Sequence, residues 1–199
     1  KEAQKKNLVS PRSIDKNGHL RMVNPRDWCS GFFPGSLWFM YEYTKDEKWK
    51  ERANKHSMLI ENEKFDRTSH DVGFKIFNSF GNGYRLTGSP EYKDVIVQAA
   101  KTLSLRFNKK IGSIRSWDFN QKEWQYPVII DNMMNLELLF ETTKMTGDSS
   151  FYQIADVHAM TTLKNHFRED YSSFHVVDYD SISGLPRLKQ THQGYADYS

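Results

Sequence analysis

Thr44-Lys45-Asp46-Glu47-Lys48-Trp49 is a pattern that returns twice, as Thr87-Gly88-Ser89-Pro90-Glu91-Tyr92 and Thr146-Gly147-Asp148-Ser149-Ser150-Phe151. Each copy reads as Thr, any residue, Asp or Ser, two further residues and then an aromatic residue. A short polar side chain at the third position is typical of a helix N-cap, since its oxygen can accept from an unpaired backbone N–H. In the middle copy Pro90 also suits a first helical position. The pattern therefore predicts three turns, each opening a helix.

The segments on the two sides of each turn differ in their hydrophobic pattern. Residues after the turns are apolar on one face at helical spacing, which predicts amphipathic outer helices. Residues 32–43, 72–86 and 133–145, which precede the turns, are apolar almost all round and predict inner helices buried on both sides. Asn82-Gly83 could also be a hairpin turn, but the register of the repeat favours a helix.

The chain thus reads as three helical hairpins in a row, which bury their faces by stacking. The inner segments are too apolar for the exposed wall of a solenoid, so we expect an all-α fold that closes as an α/α barrel. Residues 108–130 and 170–199 are not helical in pattern, and the second contains a possible short hairpin. Long ordered segments on a regular scaffold tend to carry function.

Composition narrows the class of protein. Hydrophobic residues make up 38% and aromatic residues 14%, which fits either an aromatic-rich core or aromatic walls around a sugar. The net charge of +3 comes from scattered basic residues, so nucleic-acid binding is not expected. No stretch approaches the roughly 18 apolar residues of a membrane span. A single cysteine, Cys29, excludes an intrachain disulfide but leaves the compartment, cytoplasmic or periplasmic, open.

Two carboxylates and a tryptophan occupy equivalent places before the three turns. Trp28 and Asp71 lie sixteen residues before Thr44 and Thr87, and Asp131 lies fifteen before Thr146. These are the starts of the inner helices, which converge at one mouth of a closed barrel. Either Asp could simply be an N-cap. However, Asp131 follows an apolar run, which makes it a candidate for a raised pKa, although the helix dipole opposes this shift. Two close carboxylates would separate into one proton donor and one acceptor.

Five motifs, in order, resemble the unsaturated glucuronyl hydrolases, glycoside hydrolase family 88. They are Asp27-Trp28-Cys29-Ser30-Gly31-Phe32-Phe33-Pro34-Gly35, His70-Asp71-Val72-Gly73-Phe74, Ile130-Asp131-Asn132-Met133-Met134-Asn135, His175-Val176-Val177-Asp178-Tyr179-Asp180 and Thr191-His192-Gln193-Gly194-Tyr195. The resemblance covers nearly the whole chain after about residue 24. It implies an α/α barrel of six hairpins, of which residues 1–199 form the N-terminal part of one catalytic domain covering about the first half. Residues 1–23 would be an N-terminal extension.

The resemblance also implies residue roles. Asp131 matches the general acid and base, and Asp71 the second essential carboxylate. His175 and Gln193 match pocket residues around the unsaturated sugar, and His70, Trp28 and Trp117 are expected as their neighbours. The implied activity is release of a 4,5-unsaturated glucuronic acid from the end of lyase-generated, glycosaminoglycan-type oligosaccharides. The implied enzyme is a monomer that needs no metal or organic cofactor.

Three alternatives remain. An unsaturated rhamnogalacturonyl hydrolase shares the barrel and the double-bond chemistry. A non-catalytic glycan-binding helical repeat explains the hairpins but not the paired carboxylates. An α/α-barrel epimerase would use pairs of histidines, of which only His70 and His175 are placed suitably. His158 and His166 lack a third metal ligand and are read as structural or surface residues, and residues 178–184 as a polar turn.

Overall fold

The computed structural model describes residues 7–191, and the chain divides into two compact units. The first unit contains the described residues up to 66 and residues 72–100. The second contains residues 67–71 and the described residues from 101 onward. The short segment 67–71 therefore belongs with the later part of the chain, although it lies between two parts of the first unit. Asp71 and Asp131 consequently fall in the same unit.

The three predicted helical hairpins are confirmed. The helices are α1 (Phe32–Thr44), α2 (Glu47–Met58), α3 (Asn82–Thr87), α4 (Pro90–Ser104), α5 (Leu136–Thr146) and α6 (Ser149–Asn165). A π-helix, Gly73–Gly81, runs directly into α3, and a 3-10 turn, Ile130–Asn135, runs into α5. A further 3-10 turn spans Glu61–Phe65. The second and third inner segments are thus helical throughout, and Asn82-Gly83 begins a helix rather than a hairpin turn.

The threonine of the repeat makes the same two hydrogen bonds in every turn. Its hydroxyl donates to the carbonyl four residues earlier and accepts from the backbone N–H two residues later. The donor distances are 2.7 Å to the carbonyls of Met40, Gly83 and Thr142, and the N–H groups are those of Asp46, Ser89 and Asp148. One side chain thereby satisfies a carbonyl at the end of the inner helix and fixes the approach to the outer helix.

The residue after each threonine adopts the left-handed αL conformation. Its N–H donates at 2.8 Å to the carbonyl four residues earlier, which closes the inner helix. Gly88 and Gly147 take this position in two turns, with φ of 68° and 78°. Lys45 takes it in the first turn with φ of 57°, although L-residues pay a steric cost there. The outer helices then start at the predicted caps: Asp46 accepts from Lys48 N and Asp148 from Ser150 N.

In the first unit the two hairpins pack around aromatic rings. Trp38 is 1% exposed and meets Tyr92 edge-on, with ring centroids 5.9 Å apart, and Phe80 meets the same tyrosine at 5.3 Å. Gly83 leaves room for this contact, since a Cβ there would stand 2.6 Å from the Tyr92 ring. The start of α1 likewise lies against the π-helix backbone, because a Cβ on Gly31 would clash with the carbonyls of Phe74 and Lys75.

The two non-helical regions contain short antiparallel strands. A hairpin of β1 (Ser10–Ile14) and β2 (Leu20–Val23) occupies the residues expected as an N-terminal extension. In the first non-helical region, β3 (Phe107–Asn108) pairs with β4 (Ser113–Ile114). A three-stranded sheet has the order β5-β6-β7, with β5 (Pro127–Ile129), β6 (Val176–Tyr179) and β7 (Pro186–Gln190). The hairpin expected near the end of the chain is β6–β7.

One detail of the sequence interpretation was wrong. Asp178 does not belong to a polar turn but lies within β6, fully buried. It accepts from the backbone N–H groups of Gln125 and Tyr126 and from the Arg187 guanidinium, at 2.6 to 3.2 Å. The turn itself is shorter and closes with Asp180 N donating to Leu185 O. A buried carboxylate with four donors pins β6 to its neighbours.

Across residues 7–191 no helix is long and apolar enough to cross a membrane.

Candidate functional site

Ser116 links the backbone around Asp71 to the backbone that leads into Asp131. Its carbonyl accepts from His70 N at 3.1 Å, its N–H donates to Pro127 O at 2.8 Å, and its hydroxyl accepts from Ile129 N at 3.0 Å. The side chain is fully buried. Because three backbone groups converge on one residue, the two carboxylate-bearing segments are held in a fixed relation.

Asp131 stands in the 3-10 turn at the start of α5, directly after β5. Protein atoms around its carboxyl group remove hydration, and the negative charge of Asp71 adds to this, so that together they raise the pKa of Asp131 to about 6. The residue as a whole is nevertheless exposed to solvent, and water screens such a shift. The upward direction agrees with the expectation drawn from the apolar run before Asp131. A carboxyl group that a ligand can reach and that keeps its proton to a higher pH than usual is suited to act as a proton donor.

Asp71 is half-buried and held by its neighbours in sequence. Ser69 Oγ donates to Asp71 Oδ2 at 2.5 Å and accepts from Asp71 N at 3.1 Å. On the other side, His70 Nε2 lies 3.3 Å from Asp71 Oδ1. An N-cap role does not account for these contacts, because the π-helix that follows shows no side-chain cap. Asp71 is therefore positioned as a charged group near Asp131 rather than as a helix cap.

Two buried asparagines, Asn132 and Asn135, surround the other nitrogen of His70. Asn132 Oδ1 lies 3.2 Å and Asn135 Nδ2 3.0 Å from His70 Nδ1, and Asn135 Nδ2 also donates to Asn132 Oδ1 at 2.9 Å. Asn132 Nδ2 in turn donates to Ile114 O at 2.7 Å. Both asparagines are fully buried. Sequence reasoning quoted both within the Asp131 motif but gave them no role.

His175 lies beside the Asp131 segment. Its carbonyl accepts from Ile130 N at 2.9 Å, immediately before Asp131. The half-buried imidazole has Nδ1 3.4 Å from Thr191 Oγ1. The β5–β6 pairing thus brings His175 into the neighbourhood of Asp131, as a pocket role requires. Gln193, the other expected pocket residue, lies outside the described residues.

Trp117 is paired with the Asp71 segment through an antiparallel bridge to Ser69. Its side chain is 8% exposed, stacks on Phe119 with ring centroids 5.1 Å apart, and meets Trp124 edge-on at 5.7 Å. The backbone of Trp117 therefore lies next to the Asp71 segment, but its side chain is largely covered. Phe119 is 55% exposed, so a ligand would meet this ring more readily than the indole beneath it.

Trp28 belongs to the first unit and forms an exposed aromatic group there. It is 47% exposed and packs edge-on against Phe32 and Phe74, with ring centroids 5.8 and 6.4 Å apart. The Arg12 guanidinium lies 5.7 Å from the indole centroid and forms an ion pair with Asp27 at 2.8 Å. An exposed ring with a cation nearby can stack on a sugar face.

The remaining histidines of the second unit serve the scaffold. His158 Nδ1 accepts from Ile114 N, and His166 Nε2 donates to Val128 O, both at 3.0 Å. Both rings are fully buried, and burial lowers their pKa values to about 3 and about 4. In the described part of the chain, no group of three or more His, Cys, Asp or Glu side chains could hold a metal ion.

The second unit therefore brings together Asp131, Asp71, His70 and His175, with Ser69, Asn132 and Asn135 in support. A carboxyl group that retains its proton to unusually high pH beside an ionised carboxylate separates donor and acceptor roles. Such a pair can deliver a proton to a substrate atom and assist a water molecule. The only sequence signal for the supporting residues was their position within the Asp71 and Asp131 motifs.

Comparison with known proteins gives a consistent set of relatives. An unsaturated glucuronyl hydrolase from Formosa agariphila is 53% identical over 187 residues, covering 93% of this chain and 47% of the relative. An unsaturated chondroitin disaccharide hydrolase from Streptococcus pneumoniae is 34% identical over 198 residues, covering 98% of this chain and 50% of the relative. No protein-family model matches the chain.

Among solved structures, the crystal structure of an unsaturated glucuronyl hydrolase specific for heparin matches with a TM-score of 0.92 and 44% identity. The match covers 96% of this chain and 51% of that one. The predicted fold class, an α/α barrel of which this chain covers about half, is confirmed. The chain spans about half the length of the curated relatives it matches.

Proposed function

The chain belongs to the unsaturated glucuronyl hydrolase family, and from that premise we propose that the whole protein releases a 4,5-unsaturated glucuronic acid from the non-reducing end of an oligosaccharide. The chain would form the N-terminal part of a single α/α-barrel catalytic domain. The observation that carries the proposal is the placement of an accessible carboxyl group, Asp131, in one unit with Asp71, with the two segments joined through Ser116.

The chemistry of such a substrate suits a single proton donor. The C4=C5 double bond is an enol ether with the ring oxygen, so protonation at C4 leaves a cation at C5 that the ring oxygen stabilises. Water then adds at C5, and the resulting hemiketal opens to a ketone at C5 and a hemiacetal at C1. The hemiacetal collapses to an aldehyde, which breaks the glycosidic bond and releases the remaining sugar as an alcohol. This sequence differs from attack at the anomeric carbon by paired carboxylates. It requires a group that holds a proton near neutral pH and then accepts one from water.

We assign the proton donor and acceptor to Asp131. Burial raises the pKa of Asp131, and the negative charge of Asp71 adds to this. Asp71, held by Ser69 and facing His70, would also stabilise the cation formed at C5. His70, His175 and Gln193 would bind hydroxyl or carboxylate groups of the sugar, and Trp28 and Trp117 would contribute aromatic walls. In this proposal the protein would act as a monomer and would not have nucleic acid as a binding partner.

The substrate class that we propose is a lyase product of a glycosaminoglycan. The relatives of this chain include an unsaturated chondroitin disaccharide hydrolase and an unsaturated glucuronyl hydrolase specific for heparin. The two names share the unsaturated uronic acid and differ in the sugar that follows it. The proposal therefore commits to the unsaturated residue and leaves the choice of the second sugar to experiment.

The test is the ultraviolet absorbance of an unsaturated glycosaminoglycan disaccharide incubated with the whole protein and with its Asp131→Asn variant. We expect the double-bond absorbance to disappear with the wild type and the rate to fall about 100- to 10,000-fold in the variant, as for loss of a general acid. Asp94→Asn, which removes an exposed carboxylate from α4, is the matched control and should keep the wild-type rate.

Two outcomes would contradict the proposal. Consumption of unsaturated rhamnogalacturonan fragments but not of glucuronyl disaccharides would move the protein to that class of hydrolase. Binding of the disaccharide without any loss of absorbance would indicate a glycan-binding module instead.

A further inference from the structure

The hydrogen bonds around His70 can be assigned from a fixed starting point, the backbone carbonyl of Ile114. A carbonyl oxygen only accepts, so the Asn132 atom 2.7 Å from it must be the amide nitrogen. This leaves Asn132 Oδ1 pointing toward Asn135 and His70. The orientation of the first amide is therefore determined by the main chain.

The orientation of the second amide follows from the first. The Asn135 atom 2.9 Å from Asn132 Oδ1 must be a donor, because two oxygens would repel each other, and it is therefore Nδ2. The amide keeps this orientation although its Oδ1 is buried without a hydrogen-bond partner among residues 7–191. An orphaned buried acceptor is unfavourable, so the two contacts made by Nδ2 determine how Asn135 is placed.

The protonation state of His70 follows in turn. Asn135 Nδ2 has two protons, one for Asn132 Oδ1 and one directed at His70 Nδ1, 3.0 Å away. Asn132 Oδ1 also lies near Nδ1, at 3.2 Å, but the Asn135 donor is the nearer of the two amide atoms, and we therefore infer that Nδ1 accepts from Asn135 and carries no proton. A neutral imidazole then has its proton on Nε2, the nitrogen 3.3 Å from Asp71 Oδ1. Each of the contacts from Ile114 O through Asn132 and Asn135 to His70 Nδ1 then joins a donor to an acceptor.

We propose that Asn135 is a positioning residue that fixes His70 as the neutral Nε2–H tautomer and so presents an N–H dipole to Asp71. This inference rests on the proposed function in one respect: the proposed function makes Asp71 the charged partner of the proton donor, Asp131. Through this relay the backbone carbonyl of Ile114 determines which nitrogen faces the carboxylate. Asn135 itself touches neither Asp71 nor the substrate.

A carboxylate and a histidine act on the protonation of His70. Asp71 lies at Nε2 and favours a proton on that nitrogen, and His158 on α6 also interacts with the ring. Burial lowers the pKa of His158 to about 3, so His158 carries no charge near neutral pH. A neutral His158 does not oppose the Nε2–H contact, and the amide nitrogen of Asn135 disfavours a second proton on Nδ1.

The first experiment needs no substrate. The whole protein is labelled with ¹⁵N-histidine, and the His70 resonances, assigned by their absence in His70→Gln, are followed by long-range ¹H–¹⁵N correlation between pH 6 and 8. We expect the pattern of a neutral ring protonated at Nε2. A ring protonated at Nδ1, or an imidazolium across this range, would overturn the proposal.

The second experiment changes the relay. In Asn135→Asp the amide donor becomes an acceptor of the same shape, so Nδ1 should gain a proton and the pKa of His70 should rise by about 1–3 units. Asn165→Asp, whose asparagine donates to Tyr179 OH away from His70, is the matched control and should leave the His70 signals unchanged. Unchanged His70 signals in folded Asn135→Asp would also overturn the proposal.

Turnover separates this inference from the proposed function. If both hold, Asn135→Asp should lower kcat by up to about 100-fold through misplaced charge, with a smaller change in KM, and should shift the pH profile. If the whole protein hydrolyses no unsaturated disaccharide, the proposed function fails, while the tautomer measured in the wild type still decides the role of Asn135.

Discussion

Glycine at position 45 is expected to give a more stable protein than alanine at the same position. Lys45 occupies the αL position that closes α1, and the corresponding residues of the other two turns are Gly88 and Gly147. The backbone hydrogen bond at this position is 2.8 Å in all three turns. Glycine can therefore take the place of Lys45 without changing the contacts of the main chain.

The magnitude follows from two opposing backbone contributions. An L-residue in the αL region pays about 1–2 kcal/mol relative to its ordinary conformation. Glycine loses about 0.5–1 kcal/mol more backbone entropy on folding than alanine. The difference favours glycine over alanine by roughly 0.5–1 kcal/mol. The lysine charge at the end of α1 contributes separately, by about 0.3–1 kcal/mol, and must be removed from the comparison.

The assay is guanidinium unfolding of the whole protein with Lys45→Gly and Lys45→Ala, which lack the same charge and differ only in backbone freedom. We expect a higher unfolding midpoint for the glycine variant at an unchanged slope. Gly147→Ala provides the reverse test: nothing stands within 4 Å of the added Cβ, so any loss of stability reports the backbone alone. An alanine variant at position 45 as stable as the glycine variant would refute the reasoning.

Two further predictions concern carboxylates of the second unit. Because its folded pKa lies above the unfolded value of 3.8, at about 6, Asp131 favours the native state when protonated, fully so below pH 4, and this contribution is lost as pH rises through about 6. Asp131→Asn should therefore stabilise the protein at pH 7 to 8 but not at pH 4, as measured by parallel denaturant titrations. Equal stability differences at both pH values would contradict this. For the same reason, kcat/KM of the wild type should fall above pH 6. Asp178→Ala should destabilise by about 3–5 kcal/mol, because it leaves Arg187 and two backbone N–H groups without their acceptor, and a loss within 1 kcal/mol of that of the control Asp180→Ala would argue against the buried role of Asp178.

The helical hairpins could be predicted because their signals are local. A threonine, a cap and an apolar stripe lie within a few residues of one another, and the same hydroxyl contacts recur in all three turns. The π-helix at Gly73–Gly81 could not be predicted in this way. Its wider turns place the carbonyls of Phe74 and Lys75 against Gly31, a contact between segments that are far apart in the sequence.

The candidate site divides along the same line. The raised pKa of Asp131 was expected from the apolar residues before it, and the position of Asp71 from the register of the repeat. Asn132 and Asn135 carry no such signal, because a buried amide relay depends on which groups surround it after folding. Asp178 was misread for a related reason: a short acidic stretch before a glycine is typical of a turn, and the pairing of β6 with Arg187 on β7 decides otherwise.

The three contacts of Ser116 have a consequence for the order in which the protein is assembled. Each hairpin turn can form as soon as its own residues leave the ribosome, since its hydrogen bonds join residues only a few positions apart. The N–H of His70 can be hydrogen-bonded only after Ser116 has been synthesised and has approached it. The N–H and the hydroxyl of Ser116 in turn need Pro127 and Ile129. Closing such long loops costs entropy before any contact compensates for it. We therefore expect the backbone N–H of His70, which donates to Ser116 O, to be among the last of the described chain to acquire protection from hydrogen exchange during refolding, well after the turns that surround it in sequence.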